Sequence, residues 1–185
     1  MNTTKEEYAI VLDFLPNGYP FDNKPSFRKT SIAQAIGKEH FILLELIPKK
    51  ETDLRINEEV YIGDGKRDKI HHIMGRIPTE KLTQTAKLEL NHILIDLVDT
   101  KEQKFVEFFN KAGPINMRRH QFELLPGIGK KHMWEILEAR KEGPFSDFED
   151  IKKRVKLLPD PKETIIKRIL SEINNEDKYR LFVGL

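Results

Sequence analysis

Cysteine is absent from the 185-residue chain, which excludes disulfides, thiolate metal sites and cysteine nucleophiles. No apolar run approaches the length of a membrane span. The opening Met1-Asn2-Thr3-Thr4-Lys5-Glu6-Glu7 lacks the hydrophobic stretch of a signal peptide, so a cytoplasmic location is the simplest expectation. Paired carboxylates with a metal-site signature, a Walker sequence and a nucleophile elbow are all missing, so the sequence names no catalytic residue and no cofactor. What is present is a chain with 34% charged residues and frequent isoleucine and leucine, patterned nearly end to end. That suits a folded protein of one large domain or two small ones rather than a disordered one.

The net charge of +2 is uninformative, but its distribution is not. From Lys111 onward 16 Lys/Arg face 12 Asp/Glu, whereas before it 16 face 18. Within 111–134 the basic residues Lys111, Arg118, Arg119, Lys130 and Lys131 are opposed only by Glu123. A polyanion feels such local excess, because fields are screened beyond roughly 8 Å at physiological salt.

Hydrophobic periodicity divides the chain. Tyr8–Leu15, Ser31–Ile36, Phe41–Ile47, Glu59–Ile62 and Lys69–Ile77 read as strands separated by Gly-containing turns. Five strands within 1–78 suit a small barrel, with the OB type the commonest candidate. From Thr79 the period becomes helical, with Leu82, Ala86, Leu90, Ile93, Leu94 and Leu97 on one stripe. Residues 79–113 are read as linking helices, the second opened by a Thr100/Gln103 capping box and carrying Phe105, Phe108 and Phe109. In 114–185, Asn116 is expected to cap a short helix Met117–Leu124. A helix Lys130–Lys141 follows with Trp134, Ile136 and Leu137 inward. A Ser146/Glu149 box starts Asp147–Val155, and Asp160 caps a last helix with Pro161 at its first position. The expected class is α+β, an OB-like five-stranded barrel followed by paired helices.

Between the first two of those paired helices lies Leu125-Pro126-Gly127-Ile128-Gly129-Lys130-Lys131. Two glycines permit positive φ and let backbone approach a ligand. The turn feeds a helix whose first amides are unpaired and whose dipole is positive there, a concave site suited to a phosphate oxygen. Lys130 and Lys131 add charge at the rim, and Ile128 is expected to be the apolar peg. The segment Leu125–Leu137 resembles the helix-hairpin-helix motif, in which hairpin amides hold backbone phosphate without reading sequence, sometimes through a monovalent cation. The resemblance implies contacts from Gly127, the Ile128 amide, Gly129, Lys130 and Lys131, and a cation, where one is used, at the Gly127–Gly129 hairpin. Met133 departs from the small residue usual in the motif and implies wider helix spacing. Gly143-Pro144-Phe145 through Ile151 resembles the connector between paired motifs. The second hairpin, Leu157-Leu158-Pro159-Asp160-Pro161, lacks both glycines and carries Asp160, so it is read as a structural partner.

From Glu7 to Phe182 the chain also resembles an archaeal family of uncharacterised proteins described as binding nucleic acid, often RNA. The stretches that carry the likeness are Phe41–Leu46, Val60–Gly63, Leu125–Glu135 and Asp177–Phe182. The implied partner is RNA or DNA, with RNA favoured. The alternatives are an enzyme on nucleic acid anchored by the same hairpin, and a protein-interaction module.

Other segments are weighed on the same terms. Arg118 and Arg119, expected on a short helix near the hairpin, are the supplementary phosphate contacts. Gly63–Lys69 reads as a solvated loop rather than a phosphate site, since two aspartates offset its basic residues. Adjacent His71 and His72 on a strand point to opposite faces and so do not converge on a metal. His120 and His132 flank the hairpin and add charge below neutral pH. Trp134 reads as core rather than a stacking platform. Asp147 and Asp150 follow the motif, but the domain around them is too small for a base-flipping enzyme.

Overall fold

In the computed structural model, which describes residues 4–185, the five expected strands form one antiparallel sheet. The strands are β1 (Tyr8–Leu15), β2 (Ile32–Gly37), β3 (Leu43–Pro48), β4 (Glu59–Tyr61) and β5 (Ile70–Arg76), in the order β4-β1-β2-β3-β5. One face collects Ala9 and Val11, Ala33 and Ala35, Leu44 and Leu46, Val60 and Ile62 into an apolar cluster, as a period of two requires. Bulges between Val11 and Asp13 on β1, and two more where β3 meets β5, curl the sheet into a half-barrel. Gly75, at one of these bulges, has φ +154°, a conformation open to glycine and not to a residue with a Cβ.

The other face of β2 carries the fully buried Gln34, and its amide is satisfied completely. Gln34 donates to the Tyr19 hydroxyl (3.1 Å) and the Lys81 carbonyl (2.8 Å), and accepts from the Thr83 amide (2.9 Å). Tyr19 in turn donates to Glu45 (2.7 Å); burial and that carboxylate push its hydroxyl up to about 12. Thr83 donates to Asp13 (2.5 Å) and caps helix α1 (Gln84–Thr100) by accepting from Ala86. A buried polar group left unpaired is costly, so this network fixes where α1 begins. The whole apolar stripe expected from Leu82 to Leu97 is buried.

The chain divides into two compact units, Met1–Ile93 with Phe182–Leu185, and Leu94–Leu181. In the second, α2 (Glu102–Lys111) leads through a two-stranded ribbon, β6 (Pro114–Asn116) and β7 (Arg119–His120), to a 3-10 turn at Gln121–Leu124. Helices α3 (Lys130–Lys141), α4 (Phe148–Arg154) and α5 (Pro161–Ile173) complete it. The protein is therefore a mixed α+β molecule, a curled five-stranded sheet with five helices.

Three local expectations are corrected. Met117–Leu124 is not one helix; only Gln121–Leu124 is helical, as a 3-10 turn, because the Asn116 side chain accepts from the Arg118 amide (2.9 Å), closing a turn, and Gly113 and Gln121 exchange hydrogen bonds across the ribbon. Thr100 does not cap α2, because its hydroxyl donates back to the Asp96 carbonyl within α1. At α4 the cap is Asp147, which accepts from Asp150, and not Ser146. Asp160 caps α5 as expected, accepting from the Lys162 and Glu163 amides with Pro161 at the first position.

Candidate nucleic-acid interface

Burial of aromatic rings sets the platform beneath the Leu125–Lys131 segment. Phe109 and Phe122 are fully buried with centroids 5.7 Å apart, and Phe108 meets both edge-on. The 3-10 turn that follows β7 is capped at both ends of its first step. His120 Nδ1 accepts from the Phe122 amide (3.1 Å), while Glu123 accepts from the His120 amide (2.8 Å). His120 is buried and stacked on Phe122. Burial, and then the charge of Arg140, hold its imidazole below the ordinary histidine range despite Glu123. His120 therefore takes up its proton at a lower pH than an ordinary histidine, and the charge expected of it below neutral pH is disfavoured.

A buried guanidinium locks the next step. Arg168 on α5 donates to the Leu124 carbonyl (3.0 Å) and the Tyr179 carbonyl (2.6 Å), and pairs with Glu172 (2.7 Å) and Asp177 (3.3 Å). Glu172 accepts from the Leu181 amide as well (2.7 Å). A buried charge persists only when its bonds are satisfied, and here they tie the residue before the turn to α5 and to the 177–181 segment. Tyr179 and Leu181 are therefore held against α5, both half-buried.

The turn itself is Leu125-Pro126-Gly127-Ile128, closed by the Ile128 amide donating to the Leu125 carbonyl (3.1 Å). Pro126 sits second and Gly127, at φ +80°, third, the arrangement of a type II turn, in which the third place demands a left-handed backbone. The Pro159 ring stands 3.2 Å from where a Cβ on Gly127 would lie, so a larger residue there also presses on that ring. Ile128 is buried, as a peg should be. Gly129 caps α3 with no side chain and has open space where a Cβ would go.

Consequently the amides of Gly127, Gly129, Lys130, Lys131 and His132 have no hydrogen-bond partner among the described residues; the first amide bonded inside the helix is that of Met133, to Gly129 (3.0 Å). Gly127, Gly129, Lys130 and Lys131 are exposed, and neither lysine makes an ion pair among the described residues. The start of α3 is an open, positive, uncapped helix end.

Arg118 and Arg119 lie in the ribbon, not on a helix, and both are exposed. Arg119 stands over the Tyr179 ring (5.4 Å) with Asp177 at 3.9 Å, while the Arg118 side chain has no ion pair among the described residues. The ribbon brings both to a groove of about 300 Å³ that Lys130, Trp134 and Met117 also line. Trp134 is the chief departure from expectation. It is 60% exposed rather than core, because Met133 and Ile136 define the buried stripe of α3 and Trp134 falls outside it.

The remaining candidates resolve simply. The Gly63–Lys69 loop is folded on itself: Arg67 donates to Gly63 (2.8 Å), Gly65 to the Tyr61 hydroxyl (3.0 Å), and Asp64 pairs with Lys5. His71 and His72 do converge, with Nδ1 atoms 2.8 Å apart, because the β5 bulge breaks strict alternation. No group of three or more metal-ligating side chains occurs among the described residues. Asp150 is engaged by the Ser146 amide and by Arg154, which hold its carboxyl below the usual range.

Comparison with known proteins places this arrangement in a family. The chain is 46% identical over 180 residues to Uncharacterized protein MJ0038 of Methanocaldococcus jannaschii, covering 96% of this chain and 80% of that protein. The crystal structure of Af1531 from Archaeoglobus fulgidus superposes with a TM-score of 0.87 at 46% identity, covering 96% of this chain and 99% of that one. A short stretch of 62 residues is 36% identical to DNA polymerase III PolC-type of Mycoplasma genitalium, 33% of this chain and 4% of that polymerase. Residues 5–184 match the family described as Protein of unknown function (DUF655), with archaeal members among its relatives, and the chain belongs to it.

Proposed function

We propose that this protein binds nucleic acid by its sugar-phosphate backbone, without sequence preference and with RNA favoured over DNA, through a helix-hairpin-helix element at Leu125–Leu137. The half-barrel unit is read as OB-like and the 157–161 turn as the degenerate second hairpin. One observation carries the reading: among the described residues, the amides at Gly127 and Gly129–His132 lack internal partners and open beside two lysines without ion pairs. A phosphate oxygen seated there accepts from backbone amides, while Lys130 and Lys131 neutralise its charge. Arg118 and Arg119 hold a neighbouring phosphate. The short likeness to a DNA polymerase is in keeping with this. The carbonyl of Leu124 already carries the Arg168 guanidinium, a fixed positive charge beside any cation site at the hairpin.

Binding of a labelled single-stranded RNA and a labelled duplex, measured against salt, tests the proposal. Each phosphate neutralised adds a slope of roughly −0.7 to −0.9 in log affinity against log salt. Replacing Lys130 and Lys131 together by alanine flattens it by roughly 1.4 to 1.8. A salt-independent affinity rejects the reading. So does a double variant indistinguishable from the native protein.

A further inference from the structure

We infer that the Trp134 groove takes an unstacked base, so that the protein's preferred ligand is single-stranded nucleic acid rather than duplex. This rests on the phosphate-binding reading of the hairpin and extends it to the base.

Trp134 is the chain's single tryptophan and lies 60% exposed, while Met117, which lines the same groove, is fully exposed. Large rings are normally buried for their apolar surface, and a face left open on a rigid helix is available for stacking. The surroundings choose the occupant. Arg118, Arg119 and Lys130 line the same groove, and its one carboxylate, Glu123, already accepts from the His120 amide. An apolar ring walled by cations suits a flat aromatic group attached to an anion. The spacing agrees as well: Trp134 lies four residues beyond Lys130, just over one helical turn and roughly 6 Å along the axis. A phosphate on the first amides of α3 therefore places its own base near the indole. In a duplex the base faces are already stacked on their neighbours, whereas a single strand presents them.

Because Trp134 is alone, its fluorescence reports directly. The full chain is titrated with a short mixed-sequence single-stranded RNA, with the blunt duplex of the same sequence, and with inorganic polyphosphate, a polyanion without bases. The single strand is expected to quench the indole and polyphosphate to bind without quenching. Trp134→Ala weakens single-strand binding by roughly 5- to 150-fold, the ordinary worth of one stacked base, and leaves polyphosphate binding unchanged. Trp134→Phe retains most of the affinity. If the single strand binds with salt sensitivity while the indole signal stays still and Trp134→Ala has no effect, stacking is overturned and the phosphate reading stands. Equal quenching by polyphosphate overturns it too. If none of the three polyanions binds, both readings fall and the Met117–Trp134 groove belongs to a protein partner.

Discussion

Leu125-Pro126-Gly127-Ile128-Gly129 before α3 and Val155-Lys156-Leu157-Leu158-Pro159-Asp160 before α5 are both turns whose third residue is left-handed, Gly127 at φ +80° and Leu157 at φ +65°. They end differently. At α5 the Asp160 carboxylate accepts from the Lys162 and Glu163 amides and pairs with Lys152 (2.9 Å), so the helix start is filled by the protein's own anion. At α3 a glycine stands in the capping position and the amides stay open. Two left-handed turns, five and six residues long to the cap, thus lead to an open helix start and to a closed, structural one, and the side chain at the cap decides which. A cap is worth about 1 kcal/mol, and α3 forgoes part of that stability. A junction kept open at such a cost is the kind on which a ligand site is built.

The comparison can be broken most sharply at the pegs. Ile128 is buried, whereas Leu158, its counterpart, is half-buried. Ile128→Ala is expected to cost about 2–5 kcal/mol in urea unfolding, and Leu158→Ala clearly less. Equal costs would mean that the two turns are anchored alike. Next in size is an exchange of caps. Gly129→Asp meets no steric obstacle, gains at most a few tenths of a kcal/mol, and is expected to weaken polyanion binding by about tenfold or more, since a fixed carboxylate takes the amides. Asp160→Ala should instead lower stability by about 1 kcal/mol and leave polyanion affinity unchanged. Binding unaffected by Gly129→Asp would detach the open amides from function.

The smallest effect is on pH dependence. His120 is held below its ordinary value of about 6.5 by burial and by Arg140, so the unfolded chain takes up a proton first. Its contribution is complete above about pH 6.5 and is lost as the pH falls through its folded value. For Asp160, burial raises the carboxyl, but Lys152 and the two amides outweigh it and bring it below the ordinary carboxylate value. Its contribution therefore survives until the solution is acidic enough to pass that lower value. Melting curves across pH should show the early loss disappear in His120→Asn, which keeps an acceptor for the Phe122 amide, and remain in Asp160→Asn.

Much of this was readable in the residues. The five strands, the Leu82–Leu97 stripe, the Asp160 cap and the buried Ile128 all follow from periodicity and local chemistry. The ribbon at 114–120 was not, because Asn116 suits a helix cap and a tight turn equally, and the cross-ribbon pairing of Gly113 with Gln121 decided between them. Trp134 was missed for a related reason. Hydrophobicity alone places a tryptophan inside, and a rotation of α3 set by Met133 and Ile136 put it outside. The signal was present in the three-residue step from Met133 to Ile136.

The chain's order of elements, its lack of thiol chemistry and the glycine-bearing turn at 127–129 are properties of sequence, because each depends on neighbouring residues and on backbone sterics. Tertiary structure alone decided which amides stay unpaired, that the His120 imidazole is held below its ordinary value, and that Arg118, Arg119, Lys130 and Trp134 share one groove. Those outcomes depend on burial and on partners distant in sequence, such as Arg168 reaching Leu124, which no local pattern encodes.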